Sequence, residues 1–166
     1  MSAKTIRDID VIRTFVLQGT LNFTRYFFKI RQKRKFVVGK HHREIAAALD
    51  KVLCGEITRL IINIAPRYGK TELAVKNFIA EGLAINPKAK FIHLSYSDDL
   101  ARDNSRGVQD IINEPEYRRI FPATIPTSTN TKKWYTTEGG GLYAVSSAGQ
   151  VTGFGAGLVD EEENDE

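Results

Sequence analysis

Lys70 and Thr71, preceded by Gly69, are the residues of this 166-residue chain whose types and spacing best suit chemistry on a phosphate. A Lys ammonium at such a place can reach the outer phosphates of a nucleotide, and the neighbouring hydroxyl can take one position on Mg²⁺. Both tasks need backbone N–H groups at a helix start that face the anion, an arrangement the helix dipole also favours. The flanking residues meet that need. Arg59-Leu60-Ile61-Ile62-Asn63 is a β-prone apolar run, Ile64-Ala65-Pro66-Arg67-Tyr68 forms a short loop, and residues 72–85 read as a helix. Strand, tight loop, Gly-Lys-Thr and helix together give the layout of a phosphate-binding P-loop. The full pattern G-x-x-x-x-G-K-[ST] asks for a glycine where Ile64 stands, and here Pro66 and Arg67 fill the loop instead.

Other residues able to do chemistry are fewer. His41 and His42 are adjacent, but no Cys or carboxylate stands near them at zinc-ligand spacing. His93 sits inside an apolar run, which predicts a packed core side chain. Residues 21–35 carry Phe23, Tyr26, Phe27 and Ile30 interleaved with Lys29, Arg31, Lys33, Arg34 and Lys35. That pattern fits either a grip on nucleic acid or an aromatic core stripe beside a solvated basic face. The four glycines from Gly149 to Gly157 lack the strand, helix and spacing of a dinucleotide fingerprint.

The elements that must position the loop follow from periodicity and caps. Residues 4–19 and a segment from Leu21 have helical spacing, and 44–53 reads as an Ala-rich helix with Gly55 just past its end. Residues 89–96 form a buried-type strand. Ser97, an N-cap with Asp98 and Asp99 after it, opens a helix to about Asn113. The order β-α-β-α predicts parallel strands joined by right-handed crossovers. Pro115, Pro122 and Pro126 punctuate a predicted loop, with 124–131 polar and mobile. Residues 133–146 then read as a β-hairpin turning at Gly139-Gly140-Gly141.

The chain has the apolar content for a core, one cysteine (Cys54), and no run approaching the length of a membrane span. That excludes an internal disulfide and points to a cytosolic location away from membranes. The formal charge of +4 hides an asymmetry, because residues 160–166 hold six acids in seven positions. Set apart, they leave 24 basic against 14 acidic residues, about +10, which favours a polyanionic partner.

From about Phe36 to Gly157 the chain resembles the ATPase domain of the large subunit of tailed-bacteriophage terminases. The likeness rests on His41-His42-Arg43-Glu44, on Pro66-Arg67-Tyr68-Gly69-Lys70-Thr71-Glu72 as a deviant Walker A, and on Ser95-Tyr96-Ser97-Asp98-Asp99-Leu100-Ala101. It continues in Tyr117-Arg118-Arg119-Ile120-Phe121-Pro122, in Trp134 and in Thr152-Gly153-Phe154-Gly155-Ala156-Gly157. The resemblance implies an additional-strand P-loop ATPase fold of α/β class, three-layered, related to RecA and helicases. Its sheet would be mainly parallel, and residues 1–35 would form a helical N-terminal extension. It implies a motor that couples ATP hydrolysis to movement of double-stranded DNA, without sequence preference, into a capsid. That motor would act in the host cytoplasm at the procapsid as a homo-oligomeric ring, with portal protein and small terminase subunit as partners. ATP and Mg²⁺ would be held by Pro66, Arg67, Tyr68, Gly69, Lys70, Thr71 and Glu72, with Thr71 on the metal. Arg67 and Lys70 would stabilise transferring charge, and Phe36 and His42 would lie near the adenine.

The family places a Walker B strand ending in paired acids directly after the glycine-rich stretch. Here only Leu158-Val159 precede the acids. Asp160-Glu161 can be read as that pair, or residues 158–166 as a solvated acidic tail with Walker B expected beyond Glu166. In the second case the ATPase domain, 36–157, is incomplete and turnover by the chain itself is weak or absent. Two further classes stay open: a P-loop helicase or translocase of another family, and a nucleotide-binding assembly module without turnover.

Overall fold

The structure is a computed structural model and describes residues 3–147, with side chains from residue 8 onward. Helices α1 (Ala3–Val16), α2 (Thr20–Gln32) and α3 (Lys40–Leu53) come first. A π-helical turn (Glu72–Asn77) then runs straight into α4 (Phe78–Ile85). Strand β1 (Lys90–Ser95), helices α5 (Asp98–Asn113) and α6 (Pro115–Ile120), and strands β2 (Lys133–Tyr135) and β3 (Gly141–Ser146) complete the described chain. The class is α/β. Its sheet is small and mixed, in the order β1-β3-β2. β1 and β3 run parallel from Lys90↔Gly141 to Ser95↔Ser146, and β2 runs antiparallel to β3.

The core forms where helices cover one side of this sheet. On α2, Thr20, Phe23, Thr24 and Phe27 recur at helical spacing and are all fully buried, so this stripe is core. Phe23 and Phe27 meet at 4.6 Å between ring centroids, and Tyr117 of α6 lies 5.3 Å from Phe27. Val16, Ile79, Leu83, Val108, Ile111, Ile112, Trp134 and Leu142 close around them. The polar ends of the large rings are satisfied: the Tyr117 hydroxyl donates to the Ala80 carbonyl (2.8 Å), and the Trp134 indole N–H donates to Ser105 Oγ (2.9 Å). The two helices of residues 1–35 therefore place Val16, Phe23 and Phe27 in the same core as α4, α5 and α6.

Three expectations are corrected. Residues 59–63 are not a strand: the segment is extended, but it belongs to no ladder among the described residues. An apolar run becomes a strand only when another chain segment takes its backbone hydrogen bonds. The region after Glu114 is not all loop, because Pro115 stands at the first turn of α6, where a missing N–H costs nothing. Thr124 does not belong to a mobile stretch; it is fully buried and its hydroxyl donates to the Leu83 carbonyl (3.0 Å). With 59–63 outside any ladder, β1 takes its parallel partner from β3, reached through α5, rather than from the expected strand before the loop, while the hairpin at Gly139–Gly141 arrives as predicted. Gly140 has no room for a side chain there, since a Cβ would collide with the Pro87 carbonyl. Residues 148–166, with the glycine-rich stretch and the acidic tail, lie outside the described residues.

Candidate phosphate-binding loop and its aromatic wall

Ile62 and Ile64 of the extended segment pack on Ile45, Leu49 and Leu73, and so tether the loop that follows them to α3 and the π-helical turn. The loop reverses through two left-handed residues, Arg67 at φ 68° and Gly69 at φ 75°. Gly69 needs its lack of a side chain twice over: for that φ, and because a Cβ would come within 2.8 Å of His42 Nε2. Arg67 has no such freedom, and a left-handed non-glycine residue costs roughly 1 kcal/mol. Lys70 and Thr71 already have helical geometry, and Leu73 N–H donates to the Gly69 carbonyl (3.0 Å). The helix thus starts at Gly69, and the N–H groups of Lys70, Thr71 and Glu72 carry no hydrogen bond among the described residues.

The side chains at this helix start divide by availability. The Arg67 guanidinium, the Lys70 ammonium and the Thr71 hydroxyl have no hydrogen-bond or ionic partner among the described residues. They line, with Ala65, Pro66, Gly69 and Glu72, a cavity of about 430 Å³. The Glu72 carboxylate is committed elsewhere. It accepts from Arg31 (2.9 Å) and from Asn77 Nδ2 (3.0 Å), and Lys76 stands 4.0 Å away. Asn77 also donates to the Glu72 carbonyl (2.8 Å), which holds the wider π turn directly behind the loop.

A second cavity, about 550 Å³, opens on the other side of the loop between Arg67, Tyr68 and Gly69 and the ring of Phe36. Its wall is aromatic: Phe28 lies 5.2 Å from Phe36, Phe36 4.9 Å from His42, and His41 5.4 Å from Tyr68. Arg34 caps the Phe28 face at 5.7 Å. His42 is 7% exposed and works beneath the loop. Its Nδ1 accepts from Gly39 N–H (2.9 Å), which places the proton of the neutral ring on Nε2, and that N–H donates to the Tyr68 carbonyl (2.9 Å). Burial lowers the His42 pKa, in keeping with a neutral ring, although the bond to Tyr68 opposes the shift.

The sequence-predicted residues therefore meet in one place. Pro66, Arg67, Gly69, Lys70 and Thr71 line the first cavity, Phe36, His42 and Tyr68 the second, and Glu72 touches both. Sequence reasoning missed the role of His42 as an anchor of the loop carbonyl, the part played by Phe28, and the tie from Glu72 to Arg31. Only the position of His42 at the start of α3 hinted at the first. His93, expected in the core, is half-buried on β1: burial lowers its pKa, and its Nε2 lies 3.1 Å from Asn104 Nδ2.

Among the described residues the N–H groups and the Lys70 ammonium, all unpaired, are donors of the kind an anionic oxygen accepts from, and the Thr71 hydroxyl is an oxygen that a hard cation such as Mg²⁺ can take. Among the described residues no helix is long and apolar enough to cross a membrane. Comparison with family models, curated proteins and solved structures returns no match.

Proposed function

We propose that this chain is the nucleotide-binding part of a DNA-packaging motor of the terminase large-subunit type, holding ATP and Mg²⁺ at the loop 66–72. One observation carries the reading. The helix start at Gly69 presents three unpaired N–H groups beside an unpaired Lys70, Thr71 and Arg67, a concentration of donors that suits a polyphosphate. Thr71 would take one position on the metal, whose chemistry is to neutralise charge between the outer phosphates. Lys70 and Arg67 bring fixed positive charge to the same end. The aromatic wall of Phe36, Phe28 and Tyr68 is an apolar surface for a base ring, and His42 fixes the Tyr68 carbonyl that separates the two cavities. The small parallel pair β1/β3, together with the extended run before the loop, suits a part of the three-layer P-loop ATPase fold. Double-stranded DNA as cargo, the capsid portal and small subunit as partners, a ring of copies and a place in the host cytoplasm follow from the same reading.

A narrower reading, nucleotide binding without turnover by this chain alone, is favoured by a specific feature. Glu72 is the one carboxylate lining either cavity among the described residues, and it is bound to Arg31 and Asn77. Water attack on a phosphate needs a group that orients the nucleophile, and that group is worth several powers of ten in rate. Steady-state hydrolysis of Mg·ATP by the parent, Asp160→Ala and Glu161→Ala chains decides between the two. Negligible turnover in all three, beside measurable Mg-dependent nucleotide binding that Thr71→Ala weakens, is the expected result. Robust turnover that collapses in both variants would make Asp160 and Glu161 the missing pair, and binding indifferent to Mg²⁺ and to Thr71 would overturn the site.

A further inference from the structure

We infer that a third cavity, which shares Lys35 and Phe36 with the aromatic-walled one, binds single-stranded nucleic acid. It holds about 420 Å³ and is lined by Phe15 of α1, by Arg25, Tyr26 and Lys29 of α2, by Lys35, Phe36 and Val38 of the connection, and by Arg43 of α3. Four of these residues are cations and none is an acid. Arg25, Lys29, Lys35 and Arg43 are exposed and have no ionic or hydrogen-bond partner among the described residues. Four like charges around one concavity repel each other unless an anion sits among them, and the field in such a hollow attracts polyanions.

The rings argue for the kind of polyanion. Phe15 is 45% exposed, although apolar residues of α1 elsewhere close on the core. Phe36 presents its ring to this cavity as well as to the one beside the loop. Cations that track a phosphodiester backbone, interleaved with aromatic faces on which unpaired bases stack, are the usual platform for a single strand, whereas a duplex keeps its bases away from such rings. The aromatic and basic residues of α2 thus divide their labour: Phe23 and Phe27 go to the core, and Arg25 and Lys29 go to this surface. Lys35 and Phe36 line both cavities, so a strand seated here touches the wall of the proposed nucleotide site from behind. The inference stands on the cavity alone and does not require the nucleotide reading.

The test is fluorescence anisotropy of a labelled 20-nucleotide DNA, single-stranded and as a duplex, titrated with the full chain over a range of salt. Arg25→Glu with Lys29→Glu is compared with a reversal of equal charge on α5, Arg102→Glu with Arg106→Glu. The cavity pair should weaken single-strand binding by at least tenfold and lower the salt slope by about 1.4, following the roughly 0.7 ions released per single-strand contact. The α5 pair should cost no more than about threefold. Phe15→Ala should weaken the single strand severalfold and leave the duplex unchanged. Thermal melting checks each fold, and Arg25→Gln with Lys29→Gln replaces the reversal should that variant unfold. Equal losses from both charge pairs, losses confined to the duplex, or no loss at all would overturn the inference. Lys70→Ala should leave strand binding intact, so failure of the nucleotide site and failure of this one are read separately.

Discussion

The helical side of the molecule and the side that carries the phosphate loop differ in how completely they are sealed. Phe23, Phe27, Tyr117 and Trp134 are each at most 1% exposed, and the Tyr117 hydroxyl and the Trp134 indole N–H both have partners. Before the loop, Ile61 is 86% exposed, and at the end of β1 Leu94 and Tyr96 are 55% and 90% exposed. Both apolar segments have strand-like sequences, yet among the described residues only β1 has a ladder, and that on one edge. The difference teaches that, among the described residues, the loop is positioned from one side: Ile62 and Ile64 on α3 and His42 beneath Tyr68 hold it, with no sheet neighbour there. The rigid half sets the place of the site, and the open half sets how firmly its loop is kept.

The sharpest way to break this comparison is to truncate one large apolar side chain on each side. Phe27→Ala, at a fully buried ring, should cost about 3–5 kcal/mol in urea unfolding. Ile61→Ala should cost less than about 0.5 kcal/mol, because so exposed a side chain loses little burial. Equal losses would mean that the extended segment is as sealed as the core.

A smaller effect probes a polar seam within the sealed half. Glu81 of α4 is 1% exposed; burial, with the nearby Asp50 carboxylate adding to it, raises its pKa from 4.5 to about 8 while Thr20 opposes the shift. The folded chain thus holds a proton that the unfolded chain releases above 4.5. Stability should be fullest below that pH, fall as pH rises toward 8, and level off above. Glu81→Gln should flatten this slope and stabilise the chain at pH 8.5, by an amount on the order of a few kcal/mol. Unfolding curves at pH 5, 7 and 8.5 check it; an unchanged slope in the variant would place the pH dependence elsewhere.

Much of this was legible beforehand. Ser97 and the two aspartates after it mark the start of α5, and its side chain does accept from Leu100 N–H (3.3 Å). The three glycines mark the hairpin because the backbone of residues 87–89 leaves no room for a Cβ at Gly140. The helix start at Gly69 was readable from local order alone, since Gly69, Lys70 and Thr71 themselves form it. What escaped depends on contacts distant in sequence. The 59–63 run has strand propensity but no ladder partner among the described residues, α6 hides behind a proline that serves as its first-turn residue, and His42 meets Tyr68 from 26 positions away. The π turn after Thr71 has no local signal and rests on Asn77 reaching back to Glu72.

The smallest expected effect concerns Arg67, whose left-handed φ of 68° belongs to the open side. Arg67→Gly should stabilise the chain by roughly 0.5–1 kcal/mol through relief of that strain, while weakening Mg·ATP binding severalfold through loss of the guanidinium. Thermal melting and nucleotide titration of the same variant should therefore move in opposite directions. Movement together would mean that the residue serves only the fold.

The central claim, a polyphosphate site at the helix start after Gly69, is tested most directly by calorimetric titration of the full chain and its Lys70→Ala variant with Mg²⁺ and a non-hydrolysable ATP analogue. The account predicts one site per chain, binding at least tenfold weaker in the variant, and the same melting temperature for both, since Lys70 is exposed and unpaired. Equal affinity in parent and variant would contradict it.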